Sequence, residues 1–179
     1  LILTFFSVIS CQNSNECEYG TPTALFSPNT DGVTRHVFES EGQNSFEKLR
    51  LETLFDLSAP EHGIHLVIPI ELTIIQSGCK DLKQEFRIEF FDSANPMSPQ
   101  FPAPDCANIV VQVFDELSRL DPKAMAFSAL AEAVFDVHEK IQYGSPVELK
   151  QGFTIQLDKI HSSESTIVTV IFKKSAKSS

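Results

Sequence analysis

The stretch Ile64-His65-Leu66-Val67-Ile68-Pro69-Ile70-Glu71-Leu72-Thr73-Ile74-Ile75-Gln76 decides the fold. Ile64, Leu66, Ile68, Ile70, Leu72 and Ile74 fall on one parity, and His65, Pro69, Glu71 and Thr73 on the other. A period of two sends alternate side chains to opposite faces of an extended chain, so the stretch reads as a strand with one face buried and one wet. Pro69 has no N–H to give to a ladder, which places this strand at an edge, at a bulge, or with that position turned outward. Upstream, Leu49, Leu51, Phe55 and Leu57 alternate with Lys48, Arg50 and Glu52 across residues 46–57. Downstream, Phe86, Ile88 and Phe90 alternate with Arg87 and Glu89 across residues 85–91. The connections 58–63 and 77–84 are short, so the three strands form an antiparallel meander.

Beyond the meander the period changes. Residues 92–105 carry Pro96, Pro99, Pro102 and Pro104 with no periodicity, and read as a stiff loop from sheet to helices. Ile109, Val113, Leu117 and Leu120 then recur at helical spacing. Asp121-Pro122 stops this helix and opens the next, with Asp121 at the N-cap and Pro122 at the first helical position. The second helix, over about 122–142, carries Phe127, Leu130, Ala131, Val134, Val137 and Ile141 on its core stripe, and Gly144-Ser145-Pro146 ends it. Strand patterns return over 147–158 and 167–172, the latter apolar on both parities and therefore central. The expected fold class is α+β: an antiparallel sheet of five to six strands, order βββααββ, with a two-helix hairpin packed on one face.

Composition agrees with one such domain. The 179 residues carry a net charge of −10, 42% apolar and 21% charged side chains, 7 Gly and 10 Pro. That is the make-up of a folded globular chain, and its acidity argues against nucleic acid as a partner. The expected organisation is a signal segment at 1–10, a tether at 11–32, a single domain at 33–174 and a frayed tail at 175–179.

The signal reading rests on Leu1-Ile2-Leu3-Thr4-Phe5-Phe6-Ser7-Val8-Ile9-Ser10-Cys11. This uncharged apolar run is shorter than the roughly 20 residues a membrane-spanning helix needs. It fits the h-region of a secretory signal, without its basic n-region. Val8-Ile9-Ser10-Cys11 resembles the lipobox of bacterial lipoproteins. The resemblance implies that Cys11 becomes the lipidated first residue of an exported protein. Its acyl chains, at about 0.8 kcal/mol per buried CH₂, would hold the domain at a bilayer surface. Further on, Phe26-Ser27-Pro28-Asn29-Thr30-Asp31-Gly32 resembles the F-[ST]-P-N-x-D-G opening of gliding-motility-associated C-terminal domains of Bacteroidetes, although nothing after Val33 follows that family. A turn explains the string: Asn29 and Asp31 are turn formers, and Gly32 supplies a positive φ.

An exported protein meets an oxidising compartment, where disulfides persist. With Cys11 acylated, Cys17, Cys79 and Cys106 remain. Cys79 and Cys106 are the expected pair, a bridge worth about 3 kcal/mol that would tie down the proline-rich loop. No Cys or His spacing suggests zinc, and neither metal nor cofactor is expected. Glu61-His62-Gly63-Ile64-His65 is neither an HExxH nor an HxxEH string. Asp136-Val137-His138-Glu139 fits a solvated helix face with Glu132 and Lys140 better than it fits an acid–base pair. Nucleophile-elbow, Walker and dinucleotide-binding signatures are missing from the sequence. No catalytic residue is therefore assigned.

The leading reading is a lipid-anchored, non-catalytic envelope domain that binds or scaffolds another envelope protein. Its candidate contacts are a free sheet edge and the loop residues Pro96, Pro99, Phe101, Pro102 and Pro104. The alternatives are a carrier holding an apolar ligand between sheet and helices, which requires a continuous cavity there, and a small secreted hydrolase, which requires titratable groups converging in a cleft.

Overall fold

A computed structural model describes residues 21–59, 64–78, 81–91 and 100–174. Cys11, Cys17, Cys79, Pro96, Pro99 and the signal segment lie outside the described residues, and with them the proposed lipidation site and one half of the proposed disulfide.

The strands are β1 (Val33–Glu41), β2 (Asn44–Ala59), β3 (Ile64–Ser77), β4 (Leu82–Phe90), β5 (Val147–Glu148), β6 (Phe153–His161) and β7 (Thr166–Lys174). They form one antiparallel sheet in the order β1-β2-β3-β4-β7-β6-β5. Between β4 and β5 come two helices, α1 (Ala103–Leu120) and α2 (Ala126–Phe135), with a 3₁₀ turn at Pro122–Met125 between them.

The α+β class and the helical pair hold. The sheet differs from the expectation in having seven strands, arranged ββββααβββ along the chain. The single strand expected over 147–158 is divided into β5 and β6 by a 3₁₀ turn at Lys150–Gly152, where Gln151 takes a positive φ of 66°. The additional leading strand is β1. Its apolar residues Val37 and Phe38 are neighbours and so fall on opposite parities, which leaves no alternation to read. The second helix is also shorter than 122–142. It ends at Phe135, Val137 leaves helical geometry with φ −125° and ψ 2°, and a separate 3₁₀ turn follows at His138–Lys140.

Pro69 takes the bulge option. The β2–β3 register jumps from Leu51↔Ile70 to Phe55↔Ile68, so Pro69 faces the bulged residues of β2. On its other side the β3–β4 ladder starts only at Ile70↔Phe90. The missing N–H therefore interrupts a ladder that is already interrupted.

Leu49, Leu51, Leu57, Ile70, Leu72, Ile74, Phe86, Ile88, Ile155, Leu157, Val168 and Val170 bury one face of the sheet beneath the helices. Helix α1 supplies Cys106, Ile109, Val110, Val113, Phe114 and Leu117, and α2 supplies Phe127, Ala131 and Val134. Rings fill the centre: Phe86 lies 5.4 Å from Phe114, 5.6 Å from Phe127 and 6.0 Å from Phe172, each edge to face.

The described part of the expected tether, residues 21–32, belongs to this core. Phe26 is fully buried and its ring lies 5.5 Å from that of Phe127. The chain then turns at Ser27–Thr30, where the Thr30 N–H bonds the Ser27 carbonyl at 3.1 Å. Gly32 carries it into β1 at φ 80°.

Candidate functional site

With both helices on one side, no element among the described residues covers the other face of the sheet. Across β4, β7 and β6 that face holds a shallow, open depression of about 760 Å³. Its floor and walls combine Ile160, Ile167 and Ile171 with Glu85, Arg87, Asp158 and Thr169. These residues share a face because the ladders set Glu85 opposite Ile171, Arg87 and Asp158 opposite Thr169, and Ile160 opposite Ile167. Ile160 is 66% exposed, the most exposed isoleucine of this face.

Charge in the depression is ordered. Glu85 is buried between its ladder neighbours Ile75 and Ile171. It accepts hydrogen bonds from Lys83 Nζ at 2.7 Å and Arg87 Nε at 2.6 Å. Burial acts to raise its carboxyl pKa, but the bonds and charges of Lys83 and Arg87 outweigh this and hold the group below its ordinary value. Beside it, Asp158 accepts from Gln156 Nε2 at 2.9 Å.

One rim of the depression is a polar knot under the N-terminus of α1. Lys159 Nζ and the Tyr143 hydroxyl both donate to the Phe101 carbonyl, at 3.1 and 2.9 Å. The Lys159 ammonium lies 4.9 Å from the Tyr143 ring centroid and 5.7 Å from that of Phe101. Cys106 sits in the first turn of α1 as a buried thiol. Burial pushes that thiol up to about 11, against the opposing Tyr143 bond and Lys159 charge. Burial also lowers the Lys159 amine and, with the neighbouring thiol, raises the Tyr143 phenol well above its usual value. A protonated, enclosed thiol is a packing group rather than a nucleophile.

The candidate contact loop is thus divided. Phe101 is 5% exposed and anchors the knot instead of presenting its ring to solvent. Pro102 occupies the N-cap position of α1, and Pro104 stands in its first turn, where a missing N–H costs nothing. Cys106 lies beside Tyr143 and Lys159.

A second constellation holds the strap at residues 25–30. Glu47 occupies a core-facing position of β2, fully buried, and accepts from the main-chain N–H of Leu25 at 2.8 Å and of Phe26 at 3.1 Å. His36 Nε2 lies 2.8 Å from the same carboxylate. Asp121 completes the clamp. It accepts from Ser27 N at 2.8 Å and Thr30 Oγ1 at 2.6 Å while capping the 3₁₀ turn through Lys123 N at 2.8 Å. Burial opposes its charge, yet the bonds from Thr30, Lys123 and Ser27 prevail and hold the carboxyl far below the usual range. Asp121 stands at the cap position read from the sequence, but its grip on the strap was not legible there. Glu47 had one signal, since it is in phase with Leu49 and Leu51.

Among the described residues no group of three or more His, Cys, Asp and Glu side chains is placed to hold a metal ion, and no helix is long and apolar enough to cross a membrane. No family model, curated protein or solved structure matches the chain.

Proposed function

We propose that the protein is an exported, lipid-anchored binding domain, held to a bacterial membrane through Cys11, that engages another envelope protein with the uncovered face of its sheet. The observation that carries the reading is the β4-β7-β6 face, which no element among the described residues covers, with its broad, open, mixed Ile and charge surface. A wide shallow surface suits a protein, whose interface spreads over hundreds of Å², whereas a small ligand needs a concave site that encloses most of it. A carrier would need room between sheet and helices, and aromatic rings at centroid spacings of 5.3 to 6.0 Å occupy that layer. A hydrolase would need free acid and base groups in a cleft, whereas Glu85 and Asp158 are committed to Lys83, Arg87 and Gln156.

The test has two arms. Mass spectrometry of protein extracted from membranes is expected to show acyl mass on Cys11, with Cys11→Ala moving to the soluble fraction. An unmodified Cys11 would remove the anchor. For the face, a photo-crosslinking residue at Ile160 is expected to give one discrete adduct in envelope preparations. The same residue at Met125, near the helices and equally exposed (67% against 66%), is expected to give none. Equal labelling from both positions, or no adduct from Ile160, would sink the assignment.

A further inference from the structure

β1 is the outermost strand on its side of the sheet, and among the described residues no strand pairs with its outer edge. The two-residue turn Gly42-Gln43 makes Glu41 and Asn44 the closing hydrogen-bonded pair of the β1–β2 hairpin. Alternation along an antiparallel ladder then aims the main-chain groups of Arg35, Val37 and Glu39 at β2, and those of His36, Phe38 and Ser40 away from it. The ladder is irregular between Val33 and Arg35 and regular from Arg35 to Glu41, and that seven-residue stretch of edge, without proline, is a template for another strand.

The charge pattern of β1 selects the occupant. Two copies of Val33–Glu41 laid antiparallel in full overlap set Val37 against its own counterpart on a two-fold axis. Arg35 of each copy then faces Glu39 of the other, so the ion pair occurs twice. His36 and Phe38 fall opposite one another, as their outward main-chain groups require. Sliding one copy by two residues toward the turn keeps an ion pair, Arg35 now against Glu41, but shortens the overlap and sets Val37 against Glu39 in place of Val37 against Val37. Sliding it the other way sets Arg35 against Val37 and leaves the acid opposite Val33. Arg35 and Glu39 are both exposed, and neither has an ionic partner among the described residues. Directly opposed unlike charges on adjacent strands are stabilising, and like charges are not.

We propose that β1 is the interface of a two-fold homodimer, in which two sheets join edge to edge through fully overlapped Val33–Glu41 strands. The proposal depends neither on the lipid nor on a partner for the bare face.

Sedimentation velocity of the full chain over a micromolar concentration series is expected to show a monomer–dimer equilibrium. Arg35→Glu and Glu39→Arg, each placing like charges across the axis twice, are expected to raise the dissociation constant by about tenfold or more, and the double exchange to restore it. Both side chains are exposed, so circular dichroism is expected to be unchanged. The register is read by Val37→Cys, which is expected to give a covalent dimer under mild oxidation, where Glu41→Cys gives none because position 41 faces Val33. A monomer at every concentration would overturn the proposal, as would a dimer indifferent to the charge exchanges or equal crosslinking from positions 37 and 41.

Discussion

Two carboxylates, Glu47 and Asp121, do for residues 25–30 what a sheet ladder does elsewhere: they accept its main-chain N–H groups at buried and part-buried positions. A buried donor left without a partner costs about 1–3 kcal/mol, and a bond to a charged acceptor is stronger than a neutral one. Asp121→Ala removes acceptors for Ser27, Thr30 and Lys123 together, and is expected to lower stability by about 2–4 kcal/mol in urea unfolding at neutral pH. The strap is also expected to become the first site of limited proteolysis. Because the folded pKa of Asp121 lies below its unfolded value near 4, its stabilisation is complete above about pH 4 and is lost as the pH falls toward the folded pKa. Asp121→Asn is expected to flatten the acid limb of the stability curve. An unaltered acid limb would mean that Asp121 is not what holds the strap at neutral pH.

At the scale of elements, the meander depends on its tight connections. Gly78 closes β3 at φ +123°, and a Cβ built there would lie 1.6 Å from the Asp81 carbonyl oxygen. Main-chain atoms cannot yield as a side chain end can, so the turn must open for any other residue. Gly78→Ala is expected to cost more than about 2 kcal/mol by urea denaturation, with the β3–β4 amides losing hydrogen-exchange protection first. A loss below 0.5 kcal/mol would show that the turn has a second conformation of similar energy. Strand β3 tolerates Pro69 by the complementary device, a bulge in β2 placed opposite the residue that cannot donate.

Across the whole molecule, Phe86 is where the layers meet, since β4 there touches rings carried by α1, α2 and β7. Phe86→Ala is expected to cost about 3–5 kcal/mol in a single cooperative transition, and two separated transitions would show that sheet and helices are independent units. Much of this architecture was legible in the chain. The alternations of β2, β3 and β4 and the stripe of α1 are local patterns with a fixed period, and a period survives without knowledge of partners. Asp121-Pro122, read as the opening of the second helix, opens instead the 3₁₀ turn Pro122–Met125 that precedes α2. What escaped was set by partners distant in sequence. β1 is a strand because β2 pairs with it, not because it alternates. The string 25–30 looks like a linker until Glu47 and Asp121, 21 to 94 residues away, supply acceptors for it. Phe101 reads as an exposed loop aromatic until Tyr143 and Lys159 converge on its carbonyl. By itself, then, the sequence determined the α+β class, the buried parities and the helical pair, because burial imprints a short-range period on the residues that undergo it. Only the tertiary structure decided the seven-strand order, the clamped strap and which face and edge the described elements leave open, because those follow from long-range pairings that leave no period behind.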